Sequence, residues 1–149
     1  MSNRPKLNEL APDAYRALSG VEAYLHHSGL EHGLIELVKM RASQINGCAF
    51  CLNMHSTDAR KGGETEQRLY LLNAWRETAW YTPRERAALA WTEHLTRVSA
   101  EGAPDSAYNE LAEQFSPKEV VDLTLLIGQI NLWNRIAIGT GMHPPAPHK

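Results

Sequence analysis

The apolar positions that open this chain recur at intervals of three to five residues, as one helix face requires, and no segment convincingly keeps the period of two of a half-buried strand. Leu10, Tyr15, Leu18, Val21 and Leu25 mark an amphipathic helix within Asn8 to Ser28, with Gly20 as its weak point. From Glu31 to about Asn46, the residues Leu34, Ile35, Leu37, Val38, Met40, Ala42 and Ile45 surround much of a helical cylinder. Such a helix is expected to be substantially buried. Asn46-Gly47 stops it, because both residues tolerate the left-handed backbone that ends helices. A further helix is predicted from about Cys48 to Lys61, closed by Gly62-Gly63, and one or two shorter ones rich in Leu and Trp within Glu64 to Tyr81.

Thr82-Pro83-Arg84-Glu85 and Ser116-Pro117-Lys118-Glu119 share one device: a hydroxyl cap, Pro at the first helical position and Glu at the third. Each is a capping box that opens a helix. The first helix is predicted to reach about Val98 and the second to end near Gly139 or Gly141, with a short helix from Pro104 to Phe115 between them. The segment 143–149, with Pro144, Pro145 and Pro147, is expected to be a flexible tail. The predicted fold is therefore all-α, one multi-helix domain over residues 1–149, a length at which folding buries roughly two-thirds of the unfolded chain's surface.

Composition fits that picture: 43% hydrophobic and 21% charged residues describe a globular chain rather than a disordered one. The net charge of −2, with Lys and Arg scattered rather than gathered in a stripe, argues against a nucleic-acid partner. Met1 to Lys6 lacks the apolar stretch of a secretory signal, and the most apolar segment, Val120 to Ile130, is interrupted by Asp122 and Gln129. Neither secretion nor a membrane span is predicted, and the expected location is cytoplasmic.

The two cysteines, three residues apart, are too few for the disulfide framework of a secreted domain and imply redox chemistry or metal. The segment Cys48-Ala49-Phe50-Cys51-Leu52-Asn53-Met54-His55 follows the Asn46-Gly47 stop, so the cysteines fall at a helix start. Unpaired N–H groups and partial positive charge there favour a thiolate and are expected to lower its pKa, more for the first and more exposed cysteine than for the second. Cys48 and Cys51 lie one turn apart, and Cys51 and His55 are neighbours at i and i+4. That spacing lets the cysteines close a disulfide and lets the imidazole take a proton from Cys51. If the helices before and after Asn46-Gly47 fold back on each other, Glu36 sits about 15 Å up one and His55 about 10 Å up the other, at 1.5 Å per residue. Glu36 then lies closer to His55 than to either cysteine. Plainer readings are two thiols packed as small hydrophobes, and a structural zinc on Cys48, Cys51 and His55 that lacks a fourth ligand. For Glu36 the plainer role is a carboxylate paired with Lys39 or Arg41. Neither a metal nor a bound cofactor is expected, and His26, His27, His32 and His94 carry no assigned role.

The run Glu36, Arg41, Ser43, Asn46, Cys48, Cys51, His55 and Gly63, with weaker echoes at Trp91-Thr92-Glu93 and Asn134-Arg135, resembles the alkylhydroperoxidase D-like and carboxymuconolactone decarboxylase superfamily. The resemblance implies an all-α fold, assembly into trimers or hexamers, and reduction of a peroxide substrate at the expense of an external dithiol or protein reductant. By it, Cys51 attacks the peroxide, Cys48 resolves the product as a disulfide, and His55 and Glu36 relay protons. Two departures stand out: Phe50 occupies the place of a second family histidine, and a single motif-bearing half stands where the family's well-known peroxidases have two. The alternatives are a dithiol-disulfide relay to another protein, a non-redox decarboxylase-like enzyme, and a non-catalytic binding module.

Overall fold

In a computed structural model, which describes residues 4–146, nine α-helices and one 3-10 segment account for the regular structure, with no strand among the described residues. They are α1 (Leu7–Leu10), α2 (Pro12–His26), α3 (His32–Asn46), α4 (Ala49–Lys61), α5 (Glu66–Leu71) leading into the 3-10 segment Leu72–Glu77, α6 (Pro83–Thr96), α7 (Val98–Glu101), α8 (Asp105–Ala112) and α9 (Pro117–Thr140). No described helix is long and apolar enough to cross a membrane.

Boundaries follow local chemistry. Both capping boxes form: Thr82 and Ser116 accept the N–H groups of Glu85 and Glu119, whose carboxylates return to the cap N–H groups. Gly47 ends α3 and Gly141 ends α9, both in left-handed backbone at φ 69°. The first predicted helix is divided, however. Pro12 opens α2, and Ala11 before it leaves helical geometry at φ −138° and ψ 63°, so a single turn, α1, stands apart. The pyrrolidine ring disfavours helical backbone in the preceding residue, whereas Gly20 leaves α2 unbroken. The helix predicted to reach Val98 breaks at Arg97 into α6 and α7. Within 143–149, residues 143–146 belong to no helix and 147–149 lie outside the described residues.

Helix α3 is the central strut, packed against α4, α6 and α9. Its Leu34, Ile35 and Val38 enter one core cluster with Ala87, Ala88 and Trp91 of α6 and with Leu123, Leu126 and Ile127 of α9. Its Leu37 and Met40 enter a second with Leu69, Leu72, Trp75 and Leu89. Each large apolar side chain among these contributes about 1.5–3 kcal/mol on leaving water. Arg41 of α3 is tied to α6 by Glu93, whose carboxylate also accepts the Trp75 indole N–H at 2.9 Å and an Arg76 bond. Burial by itself raises the Glu93 carboxyl, but the donors Arg76, Trp75 and Arg41 hold it below the usual range.

Candidate functional site

The turn at Gly47 folds α4 back along α3, and this hairpin assembles the predicted residues. Glu36, at 2% exposure, faces His55, at 5%. His55 Nδ1 donates to Glu36 Oε2 at 2.9 Å. A proton fixed on Nδ1 leaves Nε2 as the basic nitrogen. The plainer pairings of Glu36 are not made: Lys39 bonds Glu22 and Arg41 bonds Glu93. The second oxygen of Glu36 instead lies 4.0 Å from His32 Nε2, on a half-exposed histidine one turn earlier in α3.

Cys48 is the N-cap of α4, its sulfur accepting the Cys51 N–H at 3.4 Å. Both cysteines are free thiols and both are buried, at 1% and 2% exposure. The expectation that the first would stand exposed at the helix start therefore does not hold, because α9 covers it through Ala137. The expected fall in thiol pKa does not hold for Cys51 either. Burial, followed by the hydrogen bond and charge of Cys48, pushes the Cys51 thiol up to about 12, with the Asn134 side chain acting in the opposite sense. At a helix start, N–H groups stabilise a thiolate only as far as desolvation leaves them room to do so.

Asn134 is a residue that spacing alone does not single out. Its amide accepts from Asn46 Nδ2 at 2.8 Å and donates to Ser43 Oγ at 3.0 Å, while Asn46 also reaches Asn131. This partly buried network ties Ser43 and Asn46, at the end of α3, to α9. Its one sequence signal is the echo at Asn134-Arg135.

Cys51, His55 and Glu36 open onto one cavity of about 780 Å³, walled by α1, α2, α3, α4 and α9; Cys48 does not line it. Phe50, Met54, Ile136 and Ala137 supply apolar wall, and Glu22, His26, His32 and Lys39 supply polar groups. No group of three or more His, Cys, Asp or Glu side chains among the described residues is arranged to hold a metal ion. Of the four tryptophans, Trp75 and Trp91 are core, Trp80 is half exposed, and Trp133 lines the cavity. The arrangement therefore brings a buried thiol and a carboxylate-braced imidazole to the wall of one chamber, large enough for an organic molecule.

The protein YdfG of Bacillus subtilis is 46% identical over 141 residues, covering 95% of this chain and 96% of its own. A crystal structure of an Agrobacterium tumefaciens protein of unknown function, associated by name with the antioxidant defence protein AhpD, superposes with a TM-score of 0.94 at 44% identity, over 98% of this chain and 100% of the other. A peroxidase-related protein from Silicibacter sp. TM1040 matches at TM-score 0.78 and 27% identity, over 88% of this chain and 70% of that one. The helical architecture is thus the AhpD-like fold. The model of the carboxymuconolactone decarboxylase family matches residues 11–94, a span that contains Glu36, Cys48, Cys51 and His55, and the chain belongs to that family.

Proposed function

We propose that the protein is a thiol-dependent peroxidase working through a Cys48/Cys51 dithiol-disulfide cycle. The observation that carries this reading is that Cys51, His55 and Glu36 share one cavity, with the Nδ1 edge of His55 fixed by Glu36 at 2.9 Å. His55 Nε2 takes the Cys51 proton, and the Glu36 carboxylate stabilises the imidazolium that forms. The Cys51 thiolate attacks the terminal peroxide oxygen and the O–O bond breaks. Sulfur becomes sulfenic acid, and the leaving oxygen takes the proton from His55 to depart as alcohol or water. Cys48, one turn away, then attacks the sulfenic sulfur, releasing water and forming the disulfide, which an external dithiol returns to two thiols.

Burial supports this reading over an electron relay between proteins. Cys51, a residue at 2% exposure, offers a partner protein's cysteine little surface, whereas the cavity it lines suits a small molecule. The same reasoning favours a reductant small enough to enter. The names of the Agrobacterium and Silicibacter proteins point the same way, toward antioxidant defence and peroxidases. Self-association belongs to the same proposal: Val121, Leu125 and Leu132 stand exposed on the outer face of α9, an apolar stripe of the kind that marks interaction surfaces.

The test is a thiol titration after peroxide. The wild-type chain should lose both thiols, Cys48→Ser should stop at a sulfenic acid that dimedone traps on Cys51, and Cys51→Ser should keep its remaining thiol. An unchanged titre in the wild type would overturn the proposal.

A further inference from the structure

The cavity holds a cation that the proposed cycle leaves unused. Lys39 follows Glu36 by one turn of α3, and its side chain is only 4% exposed. Its ammonium donates to Glu22 Oε2 at 2.6 Å, and Glu22 is its one hydrogen-bond partner among the described residues. The other oxygen of Glu22 accepts the Trp133 indole N–H at 2.8 Å. Lys39, Glu22 and Trp133 all line the chamber that Cys51 and His55 line.

An ammonium carries three donors, so two of those on Lys39 are unmatched among the described residues, whereas both oxygens of Glu22 are engaged. A buried ion pair adds little stability over apolar residues of the same size, because desolvation consumes most of the attraction. Stability alone therefore does not account for a charge held in this wall. The other lysines of the cavity, Lys6 and Lys61, differ: they are 65% and 73% exposed and sit at the rim beside Glu9 and Asp58. Lys39 is the ammonium placed inside, in a chamber whose apolar wall comes from Leu7, Phe50, Met54 and Ile136.

We propose that Lys39, held in place by Glu22 and Trp133, is the recognition cation of this cavity, and that the site takes organic molecules with a carboxylate head on an apolar body. This rests on the cavity being the substrate site, as read above, and it names the class of peroxide: a hydroperoxide of an organic acid. The carboxylate accepts the two spare Lys39 donors, and the apolar body lies along Phe50 and Met54 toward Cys51. Lys39 and Glu22 touch the substrate head or position the group that does, and neither takes part in O–O cleavage.

The experiment is calorimetric binding of 4-phenylbutyrate and of its neutral amide, read as the ratio of their affinities. The wild-type protein should prefer the carboxylate at least tenfold. Glu22→Gln frees the ammonium from its counter-charge and should raise the ratio further. Lys39→Met made in the Glu22→Gln background removes both charges, leaves no lone buried ion to unfold the chain, and should bring the ratio to about one. A purely structural ion pair would not move the ratio in opposite directions in these two proteins. A wild-type ratio near one, or a ratio unchanged by loss of Lys39, would overturn the assignment. Because calorimetry reads binding without turnover, a chain with the expected ratios whose thiols survive peroxide keeps its recognition cation and loses the redox reading. Thiols that oxidise in a protein indifferent to the carboxylate mean the reverse.

Discussion

At the scale of single residues, the site is governed by a conflict between burial and reactivity. A thiol pushed up to about 12 is almost wholly protonated at neutral pH, so the nucleophile proposed at Cys51 depends on a base to form it. His55→Asn should slow peroxide-driven oxidation at neutral pH by about 10²-fold or more, the scale of a lost general base. The sign of its pH dependence follows from the same shift: the deficit should shrink as pH rises toward 12, where the thiolate forms without help. A deficit constant across pH in stopped-flow oxidation would mean that His55 only supports the fold. The raised value also links to stability. The folded protein retains the Cys51 proton better than the unfolded chain, so this contribution is complete below 9.0 and is lost as pH climbs toward 12.

Among the elements, α9 owes its start to a box that is also an electrostatic device. Glu119 accepts the Ser116 N–H and an Arg84 bond, which together hold its carboxyl at about 2, against an ordinary 4.5. A carboxylate so depressed stabilises the fold above pH 4.5 and ceases to do so as pH falls through about 2. In denaturant melts, Ser116→Ala should cost about 1 kcal/mol at neutral pH. Glu119→Gln should be destabilised at neutral pH too, with its gap from the wild type closing between 4.5 and 2; a gap that persists into acid would show that the carboxylate charge is not what the box uses. Helix α3 illustrates the opposite case. Its apolar residues on nearly every side announced a buried helix, but they did not say which polar side chains would be buried with it, and Glu36, Lys39 and Ser43 all are.

For the whole molecule, the outward stripe of α9 bears on assembly. Val121 and Leu125 are 65% and 41% exposed, and Gly128 between Leu125 and Leu132 leaves room for close approach of another helix. If self-association uses this face, sedimentation velocity should report a multiple of the chain mass, and Leu125→Glu should shift the protein toward the single chain by burying a charge in the contact. A wild-type protein that sediments as one chain at all concentrations would remove assembly from the proposal.

The elements and the motif were legible in the chain because their causes are short-range: a 3.6-residue period, hydroxyl-Pro-Glu caps, glycines at helix ends, and a histidine four residues beyond a cysteine. Even the approach of Glu36 to His55, 19 residues apart, followed from helix rise and a single reversal at Gly47. What only the tertiary structure decided lies across greater separations. Asn134 reaches Asn46 over 88 residues and Trp133 reaches Glu22 over 111, and it is the seating of α9 that covers Cys48 and desolvates Cys51. Sequence spacing encodes direction along a helix, but the dielectric around a thiol or an ammonium is set by whatever packs against it, and that is a property of the assembled core.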